Sequence, residues 1–435
     1  MLKRSLTIAA IALLFLNITT GQQINIPRIE MMPNLPQPYE MRNWKAVAQK
    51  YDSLVFDLQA SGQHLPLTTI IENTVNYPGH PSFGIQSYVG TNSPPGREAI
   101  NIIPAVIGAT LSGIDKSNQF GYDWALMCEE FFNKRPEENV YLNGPVASSG
   151  GDWWYETMPN VFFYQLNYLY PGTGDFDYQF ITVANRWLQA VKAMGGNDAP
   201  WEAAYMNYRA FSLSTMTPTE SGVKEPEAAG AIGWLLYHAY QVTGEEKYRK
   251  GAEWCLEFLE GWDSNPAYEI QLPYGAYVAA RMNAELGTSY DVEKLVNWCF
   301  DITPLRQWGA VVEPWGGIDV HGLIGEARVN YTGYAFNMNG TEQAGALVPM
   351  VRYDDRFARA IGKWTLNVAN ATRLYYSDFL PDDMADNEDW TNLYDPHSVI
   401  AYEALREYPE GPFGTADAMN GGWAQTNLAL YGSSH

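Results

Sequence analysis

Along the chain, segments that are apolar at nearly every position alternate with segments that are apolar on one helical stripe only. The stripe is clear in three places: Tyr248, Cys255, Leu256 and Leu259; Val292, Leu295, Val296 and Cys299; and Phe357, Ile361, Trp364 and Val368. Spacings of three, four and seven mark helices that face a core on one side. Each stripe follows a segment such as AAGAIGWLLYHAY, apolar nearly all round and rich in small residues, which neighbours must enclose. The unit of all-round helix, short turn and striped helix recurs from Ala228 and from Tyr274, and more weakly in segments ending on Trp187 and Trp364.

Counted this way, all-round helices start near Glu98, Met158, Glu227, Tyr274, Glu342 and His397, and striped helices near Asn43, Phe120, Asp177, Glu245, Asp291 and Asp355. Six inner and six outer helices predict an all-α fold, an (α/α)6 toroid of six helical hairpins. Turns from inner to outer helices are short, as in TGEE and LGTS, while the return connections are long, chiefly Gly195 to Lys224, Ile302 to Gly340 and Ala371 to Tyr394. All long loops therefore crowd one rim, where the inner helices begin and where binding and catalysis concentrate. Within the longest loop, the alternation in GEARVNYTGYAF predicts a β-hairpin over the mouth.

The first residues change the boundaries of this domain. Lys3 and Arg4 precede an apolar run from Leu6 to Ile18 and then small or polar residues. That is the pattern of a secretory signal over 1–21, too short to span a bilayer, so a secreted or periplasmic protein is expected. An extended lead follows over 22–42, and the toroid occupies 43–435. The three cysteines, Cys128, Cys255 and Cys299, sit in apolar helical segments and read as buried thiols.

Charge narrows the partners. The chain has 27 Lys plus Arg against 49 Asp plus Glu, a net −22, and loss of the signal takes this to −24. Phosphate attraction would become repulsion, which excludes nucleic acid as a partner, and no membrane span is expected. The 15 Trp and 29 Tyr supply a large core and leave aromatics over for a cleft.

Candidate chemistry lies where loops meet inner helices, since a sugar site needs stacking platforms and a few carboxylates. GGDWWYETMP places Asp152, Trp153, Trp154 and Glu156 at one junction, although Asp152 equally suits a helix cap. TESGVKEPEAAG places Glu225 and Glu227 at another, where the helix dipole alone favours acids. The rim further holds Arg97, Glu98, Glu269, Asn339, Glu342, Asp395 and His397, and the longest loop holds Glu313, Trp315, Asp319, His321, Glu326, Arg328, Tyr331 and Tyr334. Trp423 is a further aromatic candidate. A glycosidase needs one protonated carboxyl and one ionised carboxylate. Glu225, Glu227, Glu313 and Asp152 are the candidates, and spacing along the chain does not choose between them. Arg97, His321, Arg328 and the helix N-termini form an expected anion site for a uronate carboxylate. A polysaccharide lyase would use His321, Tyr331, Tyr334, Arg328 and Asn330 for proton abstraction instead. A non-catalytic glycan-binding protein would show the same aromatics with fewer acids. His321 and Glu326 lack the helical spacing of a zinc motif, so no metal is expected.

The hairpins with TGEEKYRKGAEW, and the junctions GGDWWYETMP and KEPEAAGAIGWLLY, resemble the six-hairpin glycosidase superfamily from about residue 40 onward. Within it the chain is most similar to secreted Bacteroidetes proteins of the glycoside hydrolase family 154 type. The resemblance implies exo-acting β-glucuronidase activity on acidic oligosaccharides without a cofactor, and it implies further chain beyond LALYGSSH.

Overall fold

The structure is a computed structural model that describes residues 22–90, 96–134, 138–327, 333–385 and 389–415. The expected signal over 1–21, together with Arg328, Asn330, Tyr331 and Trp423, lies outside the described residues.

Among the described residues ten helices carry the architecture: α1 (Trp44–Val55), α2 (Ala99–Leu111), α3 (Trp153–Leu169), α4 (Phe176–Ala193), α5 (Ala228–Thr243), α6 (Glu246–Glu260), α7 (Leu272–Leu286), α8 (Val292–Phe300), α9 (Asn337–Met350) and α10 (Ala358–Ala371). The enclosed helices α2, α3, α5, α7 and α9 each pack against the next in that order, and α1, α4, α6, α8 and α10 pack outside them. The sequence enforces this division. Gly230 of α5 meets Gly275 of α7 so closely that a Cβ on Gly230 would lie 2.8 Å from the Gln271 carbonyl oxygen. Larger residues there would push the two helices apart. The striped helices bury the predicted residues, including Tyr248, Cys255, Leu256 and Leu259 on α6. The short turns close on Gly244 and Gly287, each in the left-handed region at φ 71°, which a glycine enters without steric cost. All three cysteines are buried and free.

The expectation of an all-α chain needs correction. Among the described residues, four small antiparallel sheets accompany the helices. Three are two-stranded: β1 (Thr68–Ile71) with β2 (Ser82–Ile85), β3 (Asn197–Asp198) with β4 (Trp201–Glu202), and β5 (Ala210–Ser212) with β6 (Thr217–Thr219). The fourth joins β7 (Trp308–Ala310), β8 (Ile324–Glu326), β9 (Tyr334–Phe336), β10 (Ala404–Tyr408) and β11 (Gly411–Thr415) in the order β11-β10-β9-β8-β7. The expected rim hairpin is β8 paired with β9, Glu326 opposite Tyr334. It is the middle of this sheet rather than a free flap.

Four helix placements also differ. α3 begins at Trp153, one turn before Met158, because Asp152 caps it. α9 begins at Asn337 directly after β9, which moves Glu342 from the rim into the second turn. No helix starts at His397: residues 396–398 form a turn, the chain bends at Val399, and the buried residues 398–402 lead into β10. Pro409 sits in the turn that returns the chain as β11. The outer helix expected near Phe120 shrinks to Trp124–Met127 and a following 3-10 turn.

The lead over 22–42 runs along α10. Ile24 N–H donates to the Arg356 carbonyl at 2.8 Å, and Asn367 Nδ2 to the Pro33 carbonyl at 2.9 Å. Among the described residues no helix is long and apolar enough to cross a membrane.

Candidate active site

The start of α3, the loop before α7, the start of α9 and the five-stranded sheet surround a cleft of about 300 Å³. Four carboxylates line it, Glu98, Asp152, Glu269 and Glu403, with Arg306 and the aromatic walls Tyr88, Trp154, Tyr155, Trp308 and Phe336. Ser87, Ile100 and Met338 complete the lining.

Each acid is held differently. Asp152 caps α3, its Oδ1 accepting from the Trp154 N–H at 2.9 Å, while Oδ2 accepts from Arg209. Glu269 pairs with Arg306, which also reaches Glu326 at 3.4 Å. Burial pushes the Glu269 carboxyl up, and Asp152 adds to this against the opposing pull of Arg306. Glu98 accepts from Ser87, from Asn101 and, at 3.1 Å, from Asn143, so it is tied into the cleft wall. Glu403 accepts from the Tyr88 hydroxyl. Burial first, and then Glu403, raises the Tyr88 phenol. Burial likewise raises Tyr155, with Glu98, Asp152, Glu269 and Glu403 all contributing. Both phenols are thereby pushed towards the protonated form, and that of Tyr88 donates to Glu403.

Arg306 is the fixed cation of the cleft. Its guanidinium lies 4.4 Å from the Trp308 ring centroid and 4.9 Å from that of Tyr268. Nε and Nη1 serve Glu326, Glu269 and the Tyr268 carbonyl, and Nη2 has no acceptor among the described residues.

Of the sequence candidates, Asp152 and Trp154 line the cleft, as do the rim residues Glu98 and Glu269. Tyr334 stands beside it, half-buried, with Arg406 5.0 Å from its ring. Glu225 lies one layer deeper. It is fully buried and bonded to the same Arg209 that holds Asp152. Burial and the Asp152 charge push it up to about 9, against Arg209 and Arg306.

The remaining candidates lie elsewhere, each for a local reason. Glu227 is buried and accepts from the Tyr268 N–H at 2.6 Å and from the Glu269 N–H, so it shapes the loop that presents Glu269. Glu156 accepts from the N–H groups of Gly150, Gly151 and Asp152 and, at 3.0 Å, of Phe211. Trp153 is core, donating to the Tyr208 carbonyl at 2.9 Å. Trp315 is also core and packs beneath Gly333. Glu313 is exposed, away from the cleft lining. Arg97 pairs with buried Glu130 at 2.9 Å. His321 bonds Asp319 at 2.7 Å, and Asp319 accepts from Gln37 of the lead, so this pair anchors the lead. Asp395 closes a turn on His397 and Ser398, and His397 pairs with Asp378 at 2.7 Å on the surface. Glu342 is buried, both oxygens without a partner among the described residues, and burial raises its carboxyl well above the ordinary range.

Sequence reasoning missed Arg209, Arg306, Trp308, Tyr88 and Glu403. Arg306 and Trp308 fall in the long loop from Ile302 to Gly340 that was singled out, so loop length carried their signal. Among the described residues no three His, Cys, Asp or Glu side chains converge as a metal-ligand set. No family model, curated protein or solved structure matches the chain.

Proposed function

We propose that the chain is an exported glycoside hydrolase acting on uronate-bearing oligosaccharides, an exo-acting β-glucuronidase in type. The observation that carries this reading is the cleft, where four carboxylates and aromatic walls surround one stacked arginine. Glu269, raised by burial, is the acid that protonates the glycosidic oxygen as the C1–O bond breaks. Asp152, oriented by Trp154 and Arg209, is the second carboxylate that such a reaction requires. Nη2 of Arg306, without an acceptor among the described residues, holds the substrate carboxylate, and Trp154 with Trp308 bounds the sugar ring. Five enclosed helices, each packed against the next, support an (α/α)6-type scaffold.

A lyase would need a tyrosine or histidine base in the cleft. Among the described residues the lining tyrosines are pushed towards their protonated form, and none of the lining residues is a histidine. Incubation with p-nitrophenyl β-glucuronide and with saturated glucuronyl oligosaccharides tests the reading. Release of free glucuronic acid is expected. Ultraviolet absorbance from a new C=C bond would establish elimination instead, and binding without product would establish a glycan-binding protein.

A further inference from the structure

Beyond the cleft, the last turns of α6 carry an aromatic surface that continues towards Asp152. Trp254 and Phe258 of α6 are buried and form its base. The β3–β4 hairpin places Trp201 over Trp254, ring centroids 5.6 Å apart, and the Trp201 indole donates to Glu257 at 2.7 Å. Tyr205 then packs edge-on against Phe258 at 5.9 Å and against Tyr208 at 5.4 Å. Trp201 and Tyr205 are 43% and 49% exposed, and Tyr208 is half-buried.

Tyr208 ties this surface to the site. Its carbonyl accepts from the Trp153 indole at 2.9 Å and from the Glu225 N–H at 2.9 Å. The next residue, Arg209, holds Asp152. One short segment therefore joins the exposed rings to the carboxylate assigned to the reaction.

Aromatic rings fixed by a buried base lose little conformational freedom on binding, and their faces accept the apolar C–H face of a sugar whatever its charge. Polar edges are also present: Asn207 donates to the Tyr205 hydroxyl at 3.3 Å, and Lys224 pairs with Glu220 at 2.7 Å nearby. Accordingly, we infer that Tyr208, Tyr205 and Trp201 form a strip that stacks successive sugar units of a polysaccharide on the leaving-group side of the scissile bond. This rests on the hydrolase reading for the direction of the chain, and on the exposed rings alone for binding.

The test compares Trp201→Ala, Tyr205→Ala and the double variant with wild-type protein. Glucuronoxylan cast into native gels reads polymer binding, and p-nitrophenyl β-glucuronide reads turnover of a substrate too short to reach the strip. The double variant should lose about five- to thirtyfold in affinity for the polymer, the effect of truncating one or two aromatic anchors at an interface. Its rate on the short glycoside should match wild type, which also shows that the fold is intact. Equal retardation of wild type and double variant, or no retardation of wild type, overturns the strip. If wild type turns over no glycoside yet the variants still lose retardation, the strip stands and the hydrolase reading falls.

Discussion

Arg209 donates to Asp152 through one terminal nitrogen and to Glu225 through the other, so a single guanidinium joins a cleft carboxylate to a fully buried one. Glu225 carries its proton at neutral pH, which leaves the arginine charge to Asp152. Asp152→Asn should therefore lower kcat by about 10²- to 10⁴-fold, the usual contribution of an acid–base group. Glu225→Gln preserves the neutral form and should keep most of the rate near pH 7. As pH rises through about 9, Glu225 ionises in the wild type and competes for Arg209. The share of the alkaline fall that comes from Glu225, beyond the limb set by Glu269, should be missing in Glu225→Gln, and its pH–rate profile beside wild type reads the difference.

Arg306 is expected to separate recognition from chemistry. Arg306→Gln should raise KM for a glucuronide by about ten- to hundredfold, the effect of losing one hydrogen bond to a charged group. It should leave KM for the matching glucoside unchanged. Arg306 also pulls the Glu269 carboxyl down, so its removal lets that carboxyl rise further. The proton donor then survives to higher pH, and the alkaline limb of kcat should move upward. Steady-state kinetics on the glucuronide and glucoside pair across pH reads both effects.

Helix pairing was legible because its signals are local. Gly244 and Gly287 stop their helices through a backbone conformation that glycine favours, and the stripe on α6 needs only the spacing of Tyr248, Cys255, Leu256 and Leu259. The cleft was legible only as a rim. Its carboxylates come from positions 98, 152, 269 and 403, and no spacing along the chain reveals that those four converge. Acids at helix starts also misled. Glu156 and Glu227 satisfy the backbone N–H groups of loops, a role with the same sequence appearance as catalysis. Glu403 was hidden for another reason: Asp395 and Pro396 resemble a helix start, whereas pairing of β10 with both β9 and β11 draws the chain into a sheet.

Glu313 provides a negative control. It is exposed and does not line the cleft, so Glu313→Gln should leave kcat and KM unchanged. The melting temperature should also hold, since surface substitutions stay within about 0.5 kcal/mol. A loss of turnover in this variant would relocate the reacting centre to the loop that carries it.

Glu342 predicts a pH-dependent stability that is independent of catalysis. Its carboxyl is fully buried on α9, and neither oxygen has a partner among the described residues. Burial favours the neutral form and raises its folded-state pKa well above the value in the unfolded chain. Between those two values the folded protein holds one proton more than the unfolded one. The stability contributed is complete below the ordinary carboxylate range and falls as pH rises, by at most about 1.4 kcal/mol per pH unit from one group. Glu342→Gln has the same shape and nothing to ionise. Its stability should match wild type near pH 4 and exceed it increasingly towards pH 8. Urea melts at four pH values measure the difference, and parallel curves for the two proteins would show that Glu342 does not remain protonated in the fold.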